Sequence, residues 1–154
     1  MPILPPATFV RIYREFPQPL ADRFGWDTLT QTVEKVYAVL PPEEQAQACV
    51  LASNYGEAGA LSFLAAPGRL PPIITGHNNY FLWGPGSSNG RVVITVGGDV
   101  QRIATAYKNV TLVATRECPY AVENERKLSI YILSDPKSPD FSLEQVWPLL
   151  KHYD

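Results

Sequence analysis

The sequence predicts an α/β fold, a three-layer Rossmann-like domain in which a mostly parallel sheet of about five strands carries helices on both faces. Short apolar runs typical of buried strands alternate along the chain with segments of helical periodicity. Glycine-containing turns follow these runs near residues 54, 76 and 97. No repeat or linker divides the chain, so we expect a single domain over residues 1–154.

The N-terminal half is predicted to contain two helices and two strands. Asp27 is the predicted N-cap of the first helix, and Pro41 and Pro42 end that helix. The run from Cys49 to Ala52 is typical of a buried parallel strand. In order, we expect an irregular lead-in over 1–19, a helix over 27–40, a helical turn over 43–45, a strand over 49–52, a helix over 57–64 and a strand over 72–75.

The C-terminal half continues the alternation of strands and helices. The run Arg91–Val96, rich in β-branched residues, predicts a strand. Ser142 and Gln145 have the spacing of a capping box at the start of the last helix. In order, we expect a long loop over 76–90, a strand over 91–96, a helix over 100–107, a strand over 110–114, a polar stretch over 116–127, a strand over 128–133 and a helix from Ser142.

Composition and charge exclude several classes of protein. Hydrophobic residues make up 45% of the chain, which is typical of a folded domain and not of a disordered one. The formal net charge of −2 gives no reason to expect nucleic acid as a partner. No apolar run approaches the ~18 residues that a membrane span requires, and no signal peptide is evident, so the chain as written is expected to be soluble.

Two cysteines, Cys49 and Cys118, are too few for a disulfide framework. The apolar neighbours of Cys49 favour two buried free thiols. A single bridge between the two cysteines is the alternative in an oxidising compartment.

Three loops that follow predicted parallel strands form the expected functional site. Ligands of open α/β sheets bind beyond the carboxyl ends of the strands. The loops that begin at Asn54, Gly76 and Gly97 are therefore expected to lie on one rim. In the first of them, the start of a helix would attract an anion, but the carboxylate of Glu57 would repel a phosphate there. Tight helix packing with a capping carboxylate is the alternative role of this turn.

The long second loop contains aromatic and amide side chains that suit a sugar. Aromatic rings stack on the apolar face of a sugar, and amides hydrogen-bond its hydroxyls. His77, Asn78, Asn79 and Trp83 are the candidates in this loop. Alternatively, these side chains satisfy the backbone of a long ordered loop.

Other kinds of chemistry receive little support from the sequence. A metal site would combine His77, Glu57 and Asp99, but no two of them have the close spacing of typical ligands. Ser53 lacks the Gly-x-Ser-x-Gly context that presents a nucleophilic serine. A stand-alone hydrolase is therefore not expected, and His152 is expected to lie at the surface without a partner.

Three stretches, in this order and spacing, carry a resemblance to a known family. They are residues 21–26 (ADRFGW), 53–60 (SNYGEAGA) and 70–85, which runs from Leu-Pro-Pro to the segment GHNNYFLWGP. They resemble the C-terminal region of bacterial family 39 glycosyltransferases, multi-span membrane proteins similar to dolichyl-phosphate-mannose–protein mannosyltransferases. The resemblance covers about Leu4 to Lys151 and departs at Gly59, where alanine is more usual.

The resemblance implies that the chain is part of an integral membrane protein, on the extracytoplasmic (periplasmic) side of a bacterial inner membrane. Its proline-rich start is similar to the stretch after the last membrane helix. The parent enzymes transfer a sugar from a polyprenyl-phosphate donor, using acidic residues in loops near the membrane-embedded N-terminal half. No catalytic residue, cofactor or metal is therefore expected in this chain. The expected partner is the membrane-embedded half of the same polypeptide, with a glycan, acceptor or polyprenyl-phosphate sugar as ligand.

The leading hypothesis is an accessory domain that binds acceptor, sugar or partner without catalysing transfer. Two alternatives remain open: a structural domain that steadies the membrane half, and an independent small-molecule enzyme that works through Glu57 and His77. The predicted ligand-binding residues are Tyr55, Glu57, His77, Asn78, Asn79 and Trp83.

Overall fold

The computed structural model describes Thr8, Ala21 and residues 24–153. The predicted lead-in over 1–19, apart from Thr8, and positions 22–23 of the first family-like stretch lie outside the described residues. Within residues 24–153, no helix has both the length and the apolar character needed to cross a membrane. The elements are α1 Trp26–Ala38, α2 Pro42–Gln45, β1 Ala48–Ala52, α3 Tyr55–Leu64, β2 Ile73–Ile74, a 3₁₀ helix Asn78–Trp83, β3 Val92–Val96, α4 Gln101–Ala104, β4 Tyr107–Glu117, a 3₁₀ helix Glu123–Glu125, β5 Lys127–Pro136 and α5 Leu143–Leu150.

A five-stranded sheet with the order β2-β1-β3-β5-β4 forms the middle layer. Strand β1 pairs in parallel with both β2 and β3. Strand β5 lies antiparallel between β3 and β4, so β4 runs in the same direction as the first three strands. The predicted α/β fold with a mostly parallel sheet is confirmed.

Helices cover both faces of this sheet because alternate side chains of the strands point in opposite directions. On one face, Ile94 of β3 shares a core with Leu29 of α1 and Leu61 of α3. On the other face, Val93 shares a second core with residues of α4 and α5, among them Leu143. Both cores are buried, and the three-layer arrangement is the one that the sequence predicts.

One predicted N-cap is wrong, and a second is right in position but does not form its predicted hydrogen bonds. The N-cap of α1 is Gly25, and Asp27 lies in the first turn, where a carboxylate still stabilises the positive end of the helix. Ser142 is the N-cap of α5, but its side chain makes no capping hydrogen bond, so the capping box with Gln145 does not form. Instead, the backbone N–H of Gln145 donates to the carbonyl oxygen of Ser142 at 3.2 Å.

The predicted boundary between helix α4 and strand β4 is also wrong. Tyr107, expected in the helix, begins β4 instead, and its buried hydroxyl donates to the carbonyl oxygen of Gly90 at 2.7 Å. This strand extends to Glu117 and takes in the start of the polar stretch expected over 116–127. The polar composition is compatible with a strand because β4 lies at the edge of the sheet, where most of its side chains reach solvent.

Both cysteines are free thiols, as expected. Cys49 lies in β1, and burial raises the pKa of its thiol to about 12, which makes it unreactive. Cys118 is half-buried and not buried as expected, because it follows the solvent-facing edge strand.

Candidate functional site

A cavity of about 300 Å³ lies at the carboxyl edge of the sheet, between the ends of β1 and β3. The helix that follows β1 packs on one face of the sheet, and the helix that follows β3 packs on the other. When the helices after two neighbouring parallel strands pack on opposite faces of the sheet, a crevice remains between the strand ends. This crevice is the usual ligand position of open α/β folds. Asn54, Gly76 and Gly97 all line the cavity, so the predicted convergence of the three loops is confirmed.

The wall of the cavity combines polar and apolar side chains. Leu51, Val96 and Ile103 are among the apolar residues. The glycines of the second and third loops also contribute backbone to the wall. The polar and charged side chains are Ser53, Asn54, Glu57, Thr95, Asp99, Arg102, Asn124 and His152.

Glu57 lies at the base of the cavity, behind Ser53 and Gly97, and is 0% exposed. Its Oε2 accepts hydrogen bonds from the backbone N–H and from the hydroxyl of Ser53, both at 2.8 Å. Among the described residues, its Oε1 has no hydrogen-bond partner. Burial raises the pKa of the Glu57 carboxyl to about 7, against the lowering effect of the two Ser53 hydrogen bonds. A carboxyl that titrates near neutral pH beside a cavity is typical of functional sites.

Asn54 fixes the position of Glu57 through the start of α3. Its side-chain Oδ1 accepts a hydrogen bond from the Glu57 N–H at 2.9 Å and thereby caps the helix. Its Nδ2 makes a long hydrogen bond of 3.5 Å to Oε1 of Glu125. The negative charge of buried Glu125 also contributes to raising the pKa of Glu57. One amide side chain thus connects the backbone N–H of Glu57 with the carboxyl group of Glu125.

Sequence reasoning missed the contribution of Asn124 and Glu125 to this edge of the sheet. They lie in the 3₁₀ helix that precedes β5. Because β5 is antiparallel to β3, its beginning lies where the other strands end. The apolar pattern of this strand could not reveal its direction, and no local signal placed the preceding residues at the site.

The chemistry of the cavity does not suit a phosphate group. At the start of α3, where backbone N–H groups would attract an anion, the N–H of Glu57 already donates to Asn54, and the carboxyl of Glu57 itself lies in the first turn. Arg102 is the cation in the wall, and its Nη2 donates to the carbonyl oxygen of Leu149 at 3.1 Å. The Asp99 carboxylate in the wall opposes this positive charge. Hydroxyl, amide and carboxyl groups instead offer hydrogen bonds to a neutral polar ligand.

Thr95 offers a second buried polar atom at the cavity. It lies in the middle of the sheet on β3 and is 4% exposed. Within the described part of the chain, its Oγ1 makes no hydrogen bond. Buried polar atoms of native proteins nearly always have a partner, so an unpartnered hydroxyl in a cavity wall points to a ligand or solvent contact.

His77 is buried, and it connects the second loop to the Tyr-Gly-Glu turn. Its Nδ1 accepts a hydrogen bond from the backbone N–H of Tyr55 at 3.2 Å. The rings of these two residues also pack together, with centroids 5.1 Å apart. The turn and the His-Asn-Asn segment are therefore neighbours, as the predicted site requires. His77 and Tyr55 are not among the residues that line the cavity itself.

The expectation that His152 lies at the surface without a partner is wrong. Its ring stacks on His77, Nε2 lies 2.7 Å from the carbonyl oxygen of Ser53, and Nδ1 lies 2.8 Å from that of Leu150. Its backbone N–H donates to Gly76 and its carbonyl accepts from Asn78. The segment after α5 thus adds a bridge beside β2 and forms one side of the cavity.

Asn78, Asn79 and Trp83, the remaining predicted ligand-binding residues, do not line the cavity. They belong to the 3₁₀ helix that follows His77, and both Asn79 and Trp83 are exposed. Asn78 has a left-handed backbone with φ 51°, a conformation that asparagine tolerates better than most residues. Of the predicted set, Glu57 is the one that lies in the cavity wall.

Within residues 24–153, no three His, Cys, Asp or Glu side chains are grouped so that they could hold a metal ion. The Ser53 hydroxyl donates to Glu57, which leaves the Ser53 oxygen free to accept a hydrogen bond from a ligand.

Comparison with protein-family models, with curated proteins and with solved structures finds no match to this chain. Function is therefore inferred from the cavity and from the residues around it.

Proposed function

We propose that this chain is the extracytoplasmic, periplasmic accessory domain of a bacterial inner-membrane glycosyltransferase that uses a polyprenyl-phosphate sugar. In this proposal the cavity binds the sugar of an acceptor or donor, and the membrane-embedded half of the polypeptide transfers it. The resemblance of residues 21–26, 53–60 and 70–85 to family 39 glycosyltransferases supports the membrane-enzyme context. The observation that supports sugar binding is the polar cavity at the carboxyl edge of the sheet.

The size and chemistry of the cavity favour a neutral sugar over a charged ligand. Its volume of about 300 Å³ is at the lower end of the range for small-molecule sites, which suits a single monosaccharide unit. Thr95 and Ser53 offer hydroxyl groups, and Asp99 and Asn124 offer a carboxylate and an amide at the mouth. Such groups donate to and accept from sugar hydroxyls. The phosphate of a lipid-linked sugar would remain outside.

Sugar binding is tested by titrating ¹⁵N-labelled protein with mannose, glucose, galactose and N-acetylglucosamine. We expect the amide signals of Gly97 and Gly98 to shift with at least one of these sugars, because both residues line the cavity. The substitution Thr95→Val removes an unpartnered hydroxyl without adding bulk, so the domain should remain folded. Loss of one hydrogen bond to the ligand should weaken binding about tenfold.

The matched control is Thr115→Val, which makes the same change on the exposed side of β4. Binding by this variant should equal that of the original protein. The proposal of a sugar site fails if none of the sugars shifts Gly97 or Gly98. It also fails if Thr95→Val binds as tightly as the control.

The membrane-enzyme context has a separate test that does not depend on the ligand. The coding sequence upstream of Met1 should encode several apolar spans in the same reading frame. An in-frame stop codon directly before a translation start at Met1 would contradict the context. The sugar site would then have to be explained as part of an independent protein.

A further inference from the structure

Hydrogen bonds of both its backbone and its side chain hold Ser53 in place at the end of β1. Its backbone N–H and its hydroxyl both donate to Oε2 of Glu57 at 2.8 Å. Its carbonyl oxygen lies 2.7 Å from Nε2 of His152. Ser53, Glu57 and His152 all line the cavity, and Ser53 is half-buried there. Ser53 therefore brings a fixed hydroxyl to the cavity wall, and Glu57 sets the direction of that hydroxyl.

The hydroxyl of Ser53 can only accept a hydrogen bond from a ligand. A serine hydroxyl has one hydrogen and two lone pairs, and the hydrogen of Ser53 is directed to Glu57. A Cβ at Gly97 would lie 3.0 Å from Oγ of Ser53, and a Cβ at Gly98 would lie 2.7 Å from Cβ of Ser53. Because both positions are glycine, no side chain from this turn covers the hydroxyl. A ligand group that meets Ser53 must therefore bring a donor.

The two oxygens of the Glu57 carboxyl have different surroundings. Oε2 accepts both hydrogen bonds from Ser53, and Oε1 has no hydrogen-bond partner among the described residues. A protonated Glu57 carries its hydrogen on Oε1, since Oε2 already accepts two hydrogen bonds. The Ser53 hydroxyl keeps the same acceptor in both states. Ionisation of Glu57 thus changes the charge behind the Ser53 hydroxyl and leaves its direction unchanged.

We propose that Glu57, acting through Ser53, makes the cavity select ligands that place a hydroxyl donor against Ser53, and that ionisation of Glu57 tightens their binding. A negative charge on the acceptor polarises the serine O–H bond, so the Ser53 oxygen accepts the next hydrogen bond more strongly. Glu57 is in this sense a positioning residue that acts from behind the cavity wall. The ligand is the sugar of the proposed function, so this proposal rests on that function.

The surroundings of Glu57 place its ionisation near neutral pH. Burial, with a smaller contribution from the negative charge of Glu125, raises the pKa of the Glu57 carboxyl to about 7 against the lowering effect of the Ser53 hydrogen bonds. The other ionisable groups described on the surrounding elements carry charges of both signs. They are Asp27 at the start of α1, His77 against Tyr55, Asp99, Arg102 and His152 in the cavity wall, Arg116 at the carbonyl oxygen of Glu125, and Lys127 at the start of β5.

Sugar binding and ionisation of Glu57 are linked in a direction that can be measured. Because the sugar hydroxyl binds the ionised state more tightly, binding lowers the pKa of Glu57 and releases a proton. Sugar affinity is therefore lowest where the carboxyl is protonated, and it rises as pH rises through about 7. The stability contribution of Glu57 has the opposite sign, because its raised pKa favours the protonated folded state.

The test measures sugar affinity by titrating ¹⁵N-labelled protein with mannose, glucose, galactose and N-acetylglucosamine at about pH 6 and about pH 8. For at least one sugar, the original protein should bind about fivefold more tightly at the higher pH, since a charge-assisted hydrogen bond is stronger than a neutral one. Glu57→Gln keeps an acceptor for Ser53 but cannot ionise, so its affinity should be the same at both pH values. The matched control Glu144→Gln, an exposed change on α5, should keep the pH dependence of the original protein.

A second variant tests the contribution of the Ser53 hydroxyl itself. Ser53→Ala keeps the backbone N–H that donates to Glu57, so the turn should remain folded. Its sugar affinity should fall about tenfold at the higher pH and should no longer depend on pH. Its control is Ser62→Ala, which removes an exposed hydroxyl on α3 and should bind like the original protein.

Deoxyfluoro sugars identify the ligand group that meets Ser53. Fluorine replaces one hydroxyl in each derivative and cannot donate a hydrogen bond. The original protein should bind the derivative fluorinated at one ring position more weakly than the parent sugar. Ser53→Ala should bind that derivative and the parent sugar alike, because the acceptor of the missing donor is absent.

The outcomes separate this proposal from the proposed function. Equal affinity of the original protein at both pH values, with the signals of Gly97 and Gly98 still shifting, would overturn the proposal and leave the sugar site in place. A pH dependence that Glu57→Gln retains would also overturn it, because another group would then be titrating. If no sugar shifts these signals at either pH, the proposed function fails, and the role of Glu57 in ligand selection fails with it.

Discussion

The imidazole rings of His77 and His152 are stacked, with centroids 4.9 Å apart and planes inclined by 13°. This stack connects the loop after β2 with the segment after α5. Backbone hydrogen bonds from His152 to Gly76 and from Asn78 to His152 lie on either side of it. The stack thus holds the C-terminal segment against the cavity.

We expect His152→Ala to lower the free energy of unfolding by about 1–2 kcal/mol. The substitution removes the ring that faces the Ser53 and Leu150 carbonyl oxygens and the partner on which His77 stacks. Urea unfolding followed by circular dichroism measures the change.

The control for this prediction is Tyr153→Ala, at the adjacent and exposed residue. It should change the free energy of unfolding by less than about 0.5 kcal/mol. Equal losses at positions 152 and 153 would mean that the histidine stack contributes no more than the chain end as a whole.

Glu57 should make stability depend on pH in a defined direction. Burial raises the pKa of its carboxyl from the ordinary 4.5 to about 7, so the folded protein keeps a proton that the unfolded chain releases between these values. Its contribution to stability is therefore greatest below pH 4.5 and falls as pH rises through about 7. A shift of this size corresponds to roughly 3 kcal/mol.

The substitution Glu57→Gln removes this titration while keeping an oxygen that accepts from Ser53. We expect the free energy of unfolding of Glu57→Gln, relative to the original protein, to rise by roughly 3 kcal/mol between about pH 4 and about pH 8. Glu144→Gln, an exposed change on α5, should show no such trend. Parallel pH profiles for Glu57→Gln and the original protein would show that the buried carboxyl titrates normally.

The core elements could be predicted because their patterns are local. Alternate side chains of Val92–Val96 face two buried layers, and α1 repeats apolar residues at helical spacing. The carboxyl-edge loops followed from the parallel direction of three strands. Local patterns thus suffice for the layers and for the position of the cavity.

The rest of the site depends on contacts between distant segments, which no local pattern reveals. His152 follows α5 by two residues, and its place beside Gly76 comes from pairing with the far edge of the sheet. Gly76 permits this approach because a Cβ there would meet the Leu150 carbonyl oxygen. The aromatic loop was expected to face the ligand, but Phe81 takes the inward position and turns Trp83 outward.

Asn54, the N-cap of α3, should contribute more to stability than Ser142, the N-cap of α5. Its Oδ1 accepts the Glu57 N–H at the start of α3, so Asn54→Ala should cost about 1–2 kcal/mol in the free energy of unfolding. The paired control is Ser142→Ala at the start of α5, where no side-chain capping bond forms. It should cost less than about 0.5 kcal/mol. Thermal and urea unfolding of both variants measure the difference, and a larger loss at Ser142 would contradict the assignment.

Gly97 should be intolerant of a side chain for two separate reasons. Its backbone is left-handed with φ 62°, which costs a residue other than glycine roughly 1–2 kcal/mol. A Cβ would also lie 2.7 Å from Oε1 of Glu57 and 3.0 Å from Oγ of Ser53. Because Ser53 holds the Glu57 carboxyl in place, the crowding cannot be relieved by moving one side chain. We expect Gly97→Ala to lower the free energy of unfolding by roughly 3 kcal/mol in total.

The substitution Gly86→Ala separates the cost of the left-handed backbone from the cost of crowding. The backbone of Gly86 is also left-handed, with φ 59°, but a Cβ there would meet nothing within 4 Å. Gly86→Ala should therefore lose only the conformational part, about 1 kcal/mol. The difference between the two variants in urea unfolding measures how tightly the Glu57 carboxyl packs against Gly97. Equal losses in the free energy of unfolding would mean that the Glu57 carboxyl can move away from a Cβ at position 97. The base of the cavity would then be less rigid than sugar binding through Ser53 requires.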